Sequence, residues 1–208
     1  MSTTPTPRQR IRAFGLLYRM HWGAMGLNAK QTASMAMVLD QSDIGQLGLH
    51  RLKLKQEKAY PPLRSSFAWR PPGKGGITAQ RVFQRRNPLR TLLLSICPYS
   101  SDELAIAMVM HAEELMIHNP TRHIVIHEIR LDDFKVQGLA NIYAYEETME
   151  GPKGTYKFLI VFSHVESVQF VVELGSLDGC WKWDDAARIA TIQAEKIRMM
   201  GVIPGVFD

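Results

Sequence analysis

The sequence predicts an α+β fold: a basic, mostly helical N-terminal half with one basic strand, then a four-stranded antiparallel sheet covered by helices. Three observations lead there. Apolar positions recur at steps of three and four through most of the chain before Asn119-Pro120, and alternate after it. Helix-capping signals stand at Asn87-Pro88, Ser100 and Asp184. The charge changes sign near the middle of the chain. Residues 1–99 hold sixteen Lys and Arg against Asp40, Asp43 and Glu57, a formal +13, and residues 100–208 hold nine against seventeen, a formal −8. The division this suggests is a basic nucleic-acid-binding region over 1–99 and a sheet domain over 100–208, or one continuous domain of the two.

The opening Met-Ser-Thr-Thr-Pro-Thr-Pro reads as an arm. From Arg8 to Gly26, Ile11, Phe14, Tyr18, Trp22 and Met25 form one helix face, with Arg8, Arg12 and Arg19 on the other. Asn28 is placed to cap a second helix, Ala29 to Leu39. Gly48 to Gln56 changes period, because Arg51, Lys53 and Lys55 alternate with Leu52 and Leu54, as in a strand with a basic and an apolar face. Residues 61–76 carry four prolines and three glycines and read as a loop. Thr78 then caps a short helix to Arg86, and Asn87-Pro88 opens another through Leu89, Leu92, Leu93 and Ile96 to Pro98. Leu-Leu-Leu-Ser-Ile also fits a buried strand.

Ser100 with Glu103 forms a capping box for a helix over Asp102 to His118. Strands follow at His123 to Leu131, Val136 to Tyr145, Thr155 to Ser163 and Val168 to Gly175. An acidic turn over 146–151 and a short one over 164–167 make them a meander. The Thr155 to Ser163 strand is apolar at both parities and belongs inside the sheet. Asp184 caps a last helix that buries Ile189, Ile192 and Ile197 and stops at Gly201, with Trp181 and Trp183 as its hydrophobic staple.

Several function classes fall away. No apolar run approaches the roughly 20 residues that cross a bilayer, so no membrane role is expected. Cys97 and Cys180 fit neither a disulfide framework nor a thiolate zinc site, which suggests a reducing, cytoplasmic setting. The acid-free, Arg-rich stretch before Asp40 also resembles an organellar transit peptide and gives the alternative location. Gly73-Lys74-Gly75-Gly76 lacks the Walker A spacing, and no nucleophile elbow or helix-turn-helix is met.

What remains is a polyanion signature. A half-molecule field of one sign attracts phosphate backbones and releases their counterions. The expected function is non-enzymatic nucleic-acid binding, DNA favoured, in a regulatory or accessory factor of transcription, without a cofactor. Arg8, Arg10, Arg12, Arg19, Arg51, Lys53, Lys55, Lys74, Arg81, Arg85, Arg86 and Arg90 would contact phosphates and groove edges, with Phe67 and Trp69 stacking on bases. The Arg51-Lys53-Lys55 strand would enter the major groove as half of a ribbon. Its bland reading is an edge strand guarded by lysines, and that of the whole gradient is mutual neutralisation of the halves. The acidic half would pair with a second copy or with other protein subunits, which leaves a ribonucleoprotein subunit as the second reading. The third is a metal-dependent hydrolase, from His111, His118, His123 and His127 with Glu113, Glu114 and Glu128 nearby. His123 and His127, four apart on one strand, stand about 13 Å from each other, too far to ligate one metal from that strand alone, so a site would take two ligands from the helix and one from the strand.

Overall fold

The chain is seen in a computed structural model that describes residues 29–60, 78–117, 125–151, 153–177 and 179–201. In order they form α1 (Ala29–Met37), α2 (Gln41–Gln46), β1 (Lys53–Tyr60), β2 (Thr78–Arg85) and β3 (Arg90–Pro98). Then come α3 (Asp102–Ile117), β4 (Val125–Arg130), β5 (Tyr143–Gly151), β6 (Gly154–Val165), β7 (Val168–Ser176) and α4 (Trp183–Met200). The seven strands make one antiparallel sheet in the order β1-β2-β3-β7-β6-β5-β4. The four-stranded sheet and the mostly helical N-terminal half are therefore corrected. Both segments read as helices between Thr78 and Pro98 are strands, and they extend the C-terminal sheet by a second wing.

Their physical reason lies in burial. In β2 the side chains of Ala79, Arg81 and Phe83 are buried while those between them are half-exposed, a period of two that an arginine at an inward position disguises. β3 lies between β2 and β7, with Leu92, Leu94 and Ile96 opposite Leu174, Val172 and Phe170. Leu93 is half-buried between the buried Leu92 and Leu94, and a strand covered on both faces reads as a continuous apolar run, which is why Leu-Leu-Leu fits helix and strand alike. Asn87-Pro88, a cis bond, is the turn of the β2–β3 hairpin and starts no helix.

One sheet face packs on α1 and α4. There Met35, Leu39, Phe83, Leu94, Val172, Val161 and Ile189 belong to the main core. The other face carries α3 over β5, β6 and β7, where Val109 packs with Tyr143, Tyr145 and Ile160. β3 and β7 pair over nine residues, so the two charge halves of the sequence share one ladder.

Other boundaries move as well. The first strand runs from Lys53 to Tyr60, later than Gly48 to Gln56, and the acidic stretch over 146–151 is itself strand β5 rather than a turn. Its alternate residues Tyr143 and Tyr145 are buried against β6 and α3, so the carboxylates around them do not prevent pairing. α1, α3, β6, β7 and α4 stand close to the expected positions, and β6 is interior as its two-sided apolar pattern requires. Ser101, not Ser100, caps α3, its Oγ accepting from Leu104 N at 3.3 Å. The short α2 has its own box: Asp40 accepts from the Ser42 and Asp43 N–H groups, and Asp43 accepts from Asp40 N. The arm and the helix expected before Gly26 lie outside the described residues.

Candidate anion-binding site

The twelve cations expected to form one contact surface divide into three groups. Arg8, Arg10, Arg12, Arg19 and Lys74, together with Phe67 and Trp69, lie outside the described residues. Arg81 is only 2% exposed, its guanidinium donating to the Glu57 carboxylate and to the Val38 carbonyl, so it is a core residue and a correction to the contact set. A buried charge is tolerated only when paired and hydrogen-bonded, and Arg81 is both. The remaining cations reach the surface or a cavity: Arg51, Lys53, Lys55 and Arg86 are exposed, and Arg85 and Arg90 are half-buried.

β1 has β2 as its ribbon neighbour, and among the described residues side chains occupy backbone groups on its other side. The Gln41 amide donates to Leu52 O and accepts from Leu54 N, both at 2.9 Å, and Gln31 donates to Ala59 O at 3.1 Å. The register slips between Leu54 and Gln56 in a bulge that places Lys55 out of step. A bulge, lysines and side-chain caps are the devices that close a sheet edge to another strand.

Arg51, Arg85 and Arg90 do converge. They line a cavity of about 290 Å³ at the end of the sheet, together with Gly48, Leu49, His50, Leu52 and Trp181. Its floor is the end of the β2–β3 hairpin, where Arg85 and Arg90 are direct cross-strand partners. Like charges placed so are destabilising unless something answers them. Arg85 Nε donates to Asn87 O at 2.8 Å, which aims that side chain along its own turn. The register continues sideways through Ser176 to Lys157, so four adjacent strands present Arg85, Arg90, Ser176 and Lys157 in one row on one sheet face. The Ser176 hydroxyl is buried and has no hydrogen-bond partner among the described residues.

The roof is the segment after α2. Gly48 leaves the helix at φ 76°, a left-handed turn suited to glycine, and Leu52 N closes a turn on Leu49 O at 2.8 Å. Arg188 of α4 donates to Leu47 O at 3.1 Å, and the Gln41 amide holds the other end. Trp181 forms a wall, fixed by its indole N–H on Gly175 O at 3.1 Å. Among the described lining residues no side chain is acidic. His50 and Trp181 were not among the expected contacts. The only sequence signal for them was adjacency, His50 to Arg51 and Trp181 to the helix start it was expected to staple.

Lys157 at the far end of the row is ion-paired to Glu146 of β5 at 2.8 Å, whereas the carboxylates of β5 stand far across the sheet from β1. At about 4.8 Å per strand, β1 and β5 stand roughly 24 Å apart, beyond the ~8 Å screening length of physiological salt. Of the four histidines, His111 stands in α3 and His127 in β4, and His118 and His123 lie outside the described residues. No group of three or more metal-ligating side chains occurs among the described residues. Cys97 is buried beside Tyr99, and burial pushes its thiol up and keeps it protonated.

No protein-family model and no curated sequence matches the chain. Its fold matches the crystal structure of the extracellular domain of PknH from Mycobacterium tuberculosis, at 11% sequence identity and a TM-score of 0.57. The match spans 81% of this chain and 96% of that one. At that identity the likeness is one of fold. The neighbour is an extracellular domain and not a DNA-binding or transcription regulator, which counts against the expected transcription-regulator class, and it does not establish a cytoplasmic location. No helix among the described residues is long and apolar enough to cross a membrane.

Proposed function

We propose that the chain is a non-enzymatic binding module that holds a phosphate-rich polyanion on the β1–β3 wing. One observation supports this above the others: Arg51, Arg85 and Arg90 converge on one cavity, with Lys53, Lys55, Lys58 and Arg86 exposed on the strands and turn beside it. Glu57 is the one carboxylate in these three strands, and Arg81 engages it. A single strand suits the wing better than a duplex groove, because it needs a surface and no protruding ribbon.

The test uses the full chain and a fluorescent single-stranded RNA of about twenty nucleotides. Affinity should fall steeply with salt. Reversing Lys53, Lys55 and Lys58 to Glu should cost at least tenfold at low salt. Unchanged affinity in that triple variant, or no binding by the wild type, overturns the reading.

A further inference from the structure

The cavity is too small for a polymer and suits one end of it. At about 290 Å³ it stands at the bottom of the size range of ligand pockets, room for a single charged group with a small substituent. Its donors approach from different elements: Arg51 from the roof, and Arg85 and Arg90 from two strands of the floor. A planar carboxylate is satisfied by one guanidinium fork, whereas a tetrahedral dianion with three terminal oxygens calls for several donors arranged around it. Leu49, Leu52 and Trp181 supply apolar walls for the carbon skeleton next to that group.

We infer that the corner cavity is a phosphate-monoester site, seating one terminal phosphate between Arg51, Arg85 and Arg90. The inference rests on reading the wing as anion-binding and names the group recognised there. A phosphodiester inside a chain offers only two unesterified oxygens and one charge, so the cavity should discriminate strand ends from strand interiors. Such a monoester has two sources, the end of a nucleic-acid strand or a free phosphorylated small molecule.

Two probes separate these outcomes. In the first, the same RNA is compared with a 5′-phosphate and with a 5′-hydroxyl, and the phosphorylated strand should bind at least tenfold more tightly. Arg85→Gln with Arg90→Gln should erase that difference, so that the variant binds the two strands equally. Arg51→Gln, on an exposed loop residue, serves the same purpose if the double variant does not fold. In the second, inorganic phosphate is added to the full chain at constant ionic strength, and the melting temperature should rise for the wild type and not for the variants.

Equal binding of the two strands, with RNA still bound, overturns strand-end recognition while the polyanion reading stands. A melting shift with phosphate then assigns the site to a free monoester. No shift, with the strands equal, overturns the cavity site altogether. Loss of all RNA binding with a retained phosphate shift overturns the wing and supports the cavity alone.

Discussion

The β1–β3 wing and the β4–β5 wing flank the same two strands, β7 and β6, yet they are held by different forces. On the first, the strands carry six cations and one carboxylate, and the middle is fixed by the buried Arg81–Glu57 pair and the Val38 carbonyl. On the second, four carboxylates accompany one arginine, and the strands are fixed by aromatic packing. Tyr143 and Tyr145 pack against Phe162 of β6, with the Tyr145 and Phe162 rings 6.1 Å apart and nearly parallel. Formal charge thus overstates the surface of both wings, since Arg81 on the basic side and Glu147 on the acidic side are buried. Counting charges along a sequence finds the polar end of a fold. It does not say which of those charges remain available to a ligand.

The largest test of this contrast removes one anchor from each wing. Tyr145→Ala and Arg81→Ala should each cost about 3–5 kcal/mol in urea unfolding, the first by leaving a cavity and the second by stranding Glu57 and a carbonyl in the core. Their rescue should differ. Replacing Arg81 and Glu57 together by Met and Leu should restore most of the stability, since a buried ion pair exchanges with apolar side chains at little net cost. If the double variant is as unstable as Arg81→Ala, the basic wing depends on that pair in a way packing does not replace.

A smaller effect should appear where the wings join. Gly175 of β7 pairs with Thr91 of β3 on one side and Phe158 of β6 on the other, and an added Cβ would meet the Thr91 Oγ1 at 2.4 Å and Phe158 Cε1 at 2.8 Å. Gly175→Ala should therefore cost about 1–3 kcal/mol by overpacking. Thr91→Ser would keep the close hydroxyl and recover little, whereas Thr91→Ala or Phe158→Leu combined with Gly175→Ala should recover part of the loss. A neutral Gly175→Ala would mean that the joint yields, and the wings would then be less tightly coupled than their shared ladder implies.

The same contrast explains which parts of the fold were legible in the sequence. α4 was readable because Ile189 and Ile197 mark its stripe and Gly201 its stop, although Lys182 and not Asp184 is the N-cap, with Asp185 accepting from Lys182 N. β6 and β7 were readable because each is a short run rich in β-branched and aromatic residues bounded by turns, with β6 apolar at both parities. The β2–β3 hairpin was not, since Arg81 occupies a core position only by virtue of Glu57, twenty-four residues away, and no local pattern contains that partner. β5 was hidden by Glu146, Glu147 and Glu150, which suggest a turn until Tyr143 and Tyr145 have a β6 to pack on. Of the site, Arg51, Arg85 and Arg90 were chosen for their charge, but their convergence depends on the register of that unread hairpin.

The smallest effect concerns the tether of the cavity roof. α2 is tied to α4 by Lys196, whose ammonium reaches Asp40 at 3.0 Å and also Asp43, while Gln193 bridges Leu39 N and Met37 O. Burial alone would raise the Asp40 carboxyl, but the Lys196 charge and hydrogen bond and the Ser42 and Asp43 N–H groups outweigh it and hold it below its usual value. A carboxyl lowered on folding stabilises the protein fully above the unfolded value near 4, and the contribution is lost as pH falls through the lowered folded value. Asp40 is about a third exposed, so solvent screening limits the effect to under about 1 kcal/mol. Asp40→Asn keeps a capping side chain and deletes the charge. It should be slightly less stable than the wild type at pH 7 and indistinguishable from it near pH 2, and a difference that persists in acid would assign the tether to packing around Gln193 instead. Either result bears on the cavity, because the Gln41 that clamps its roof stands in the first turn of the helix that Asp40 caps.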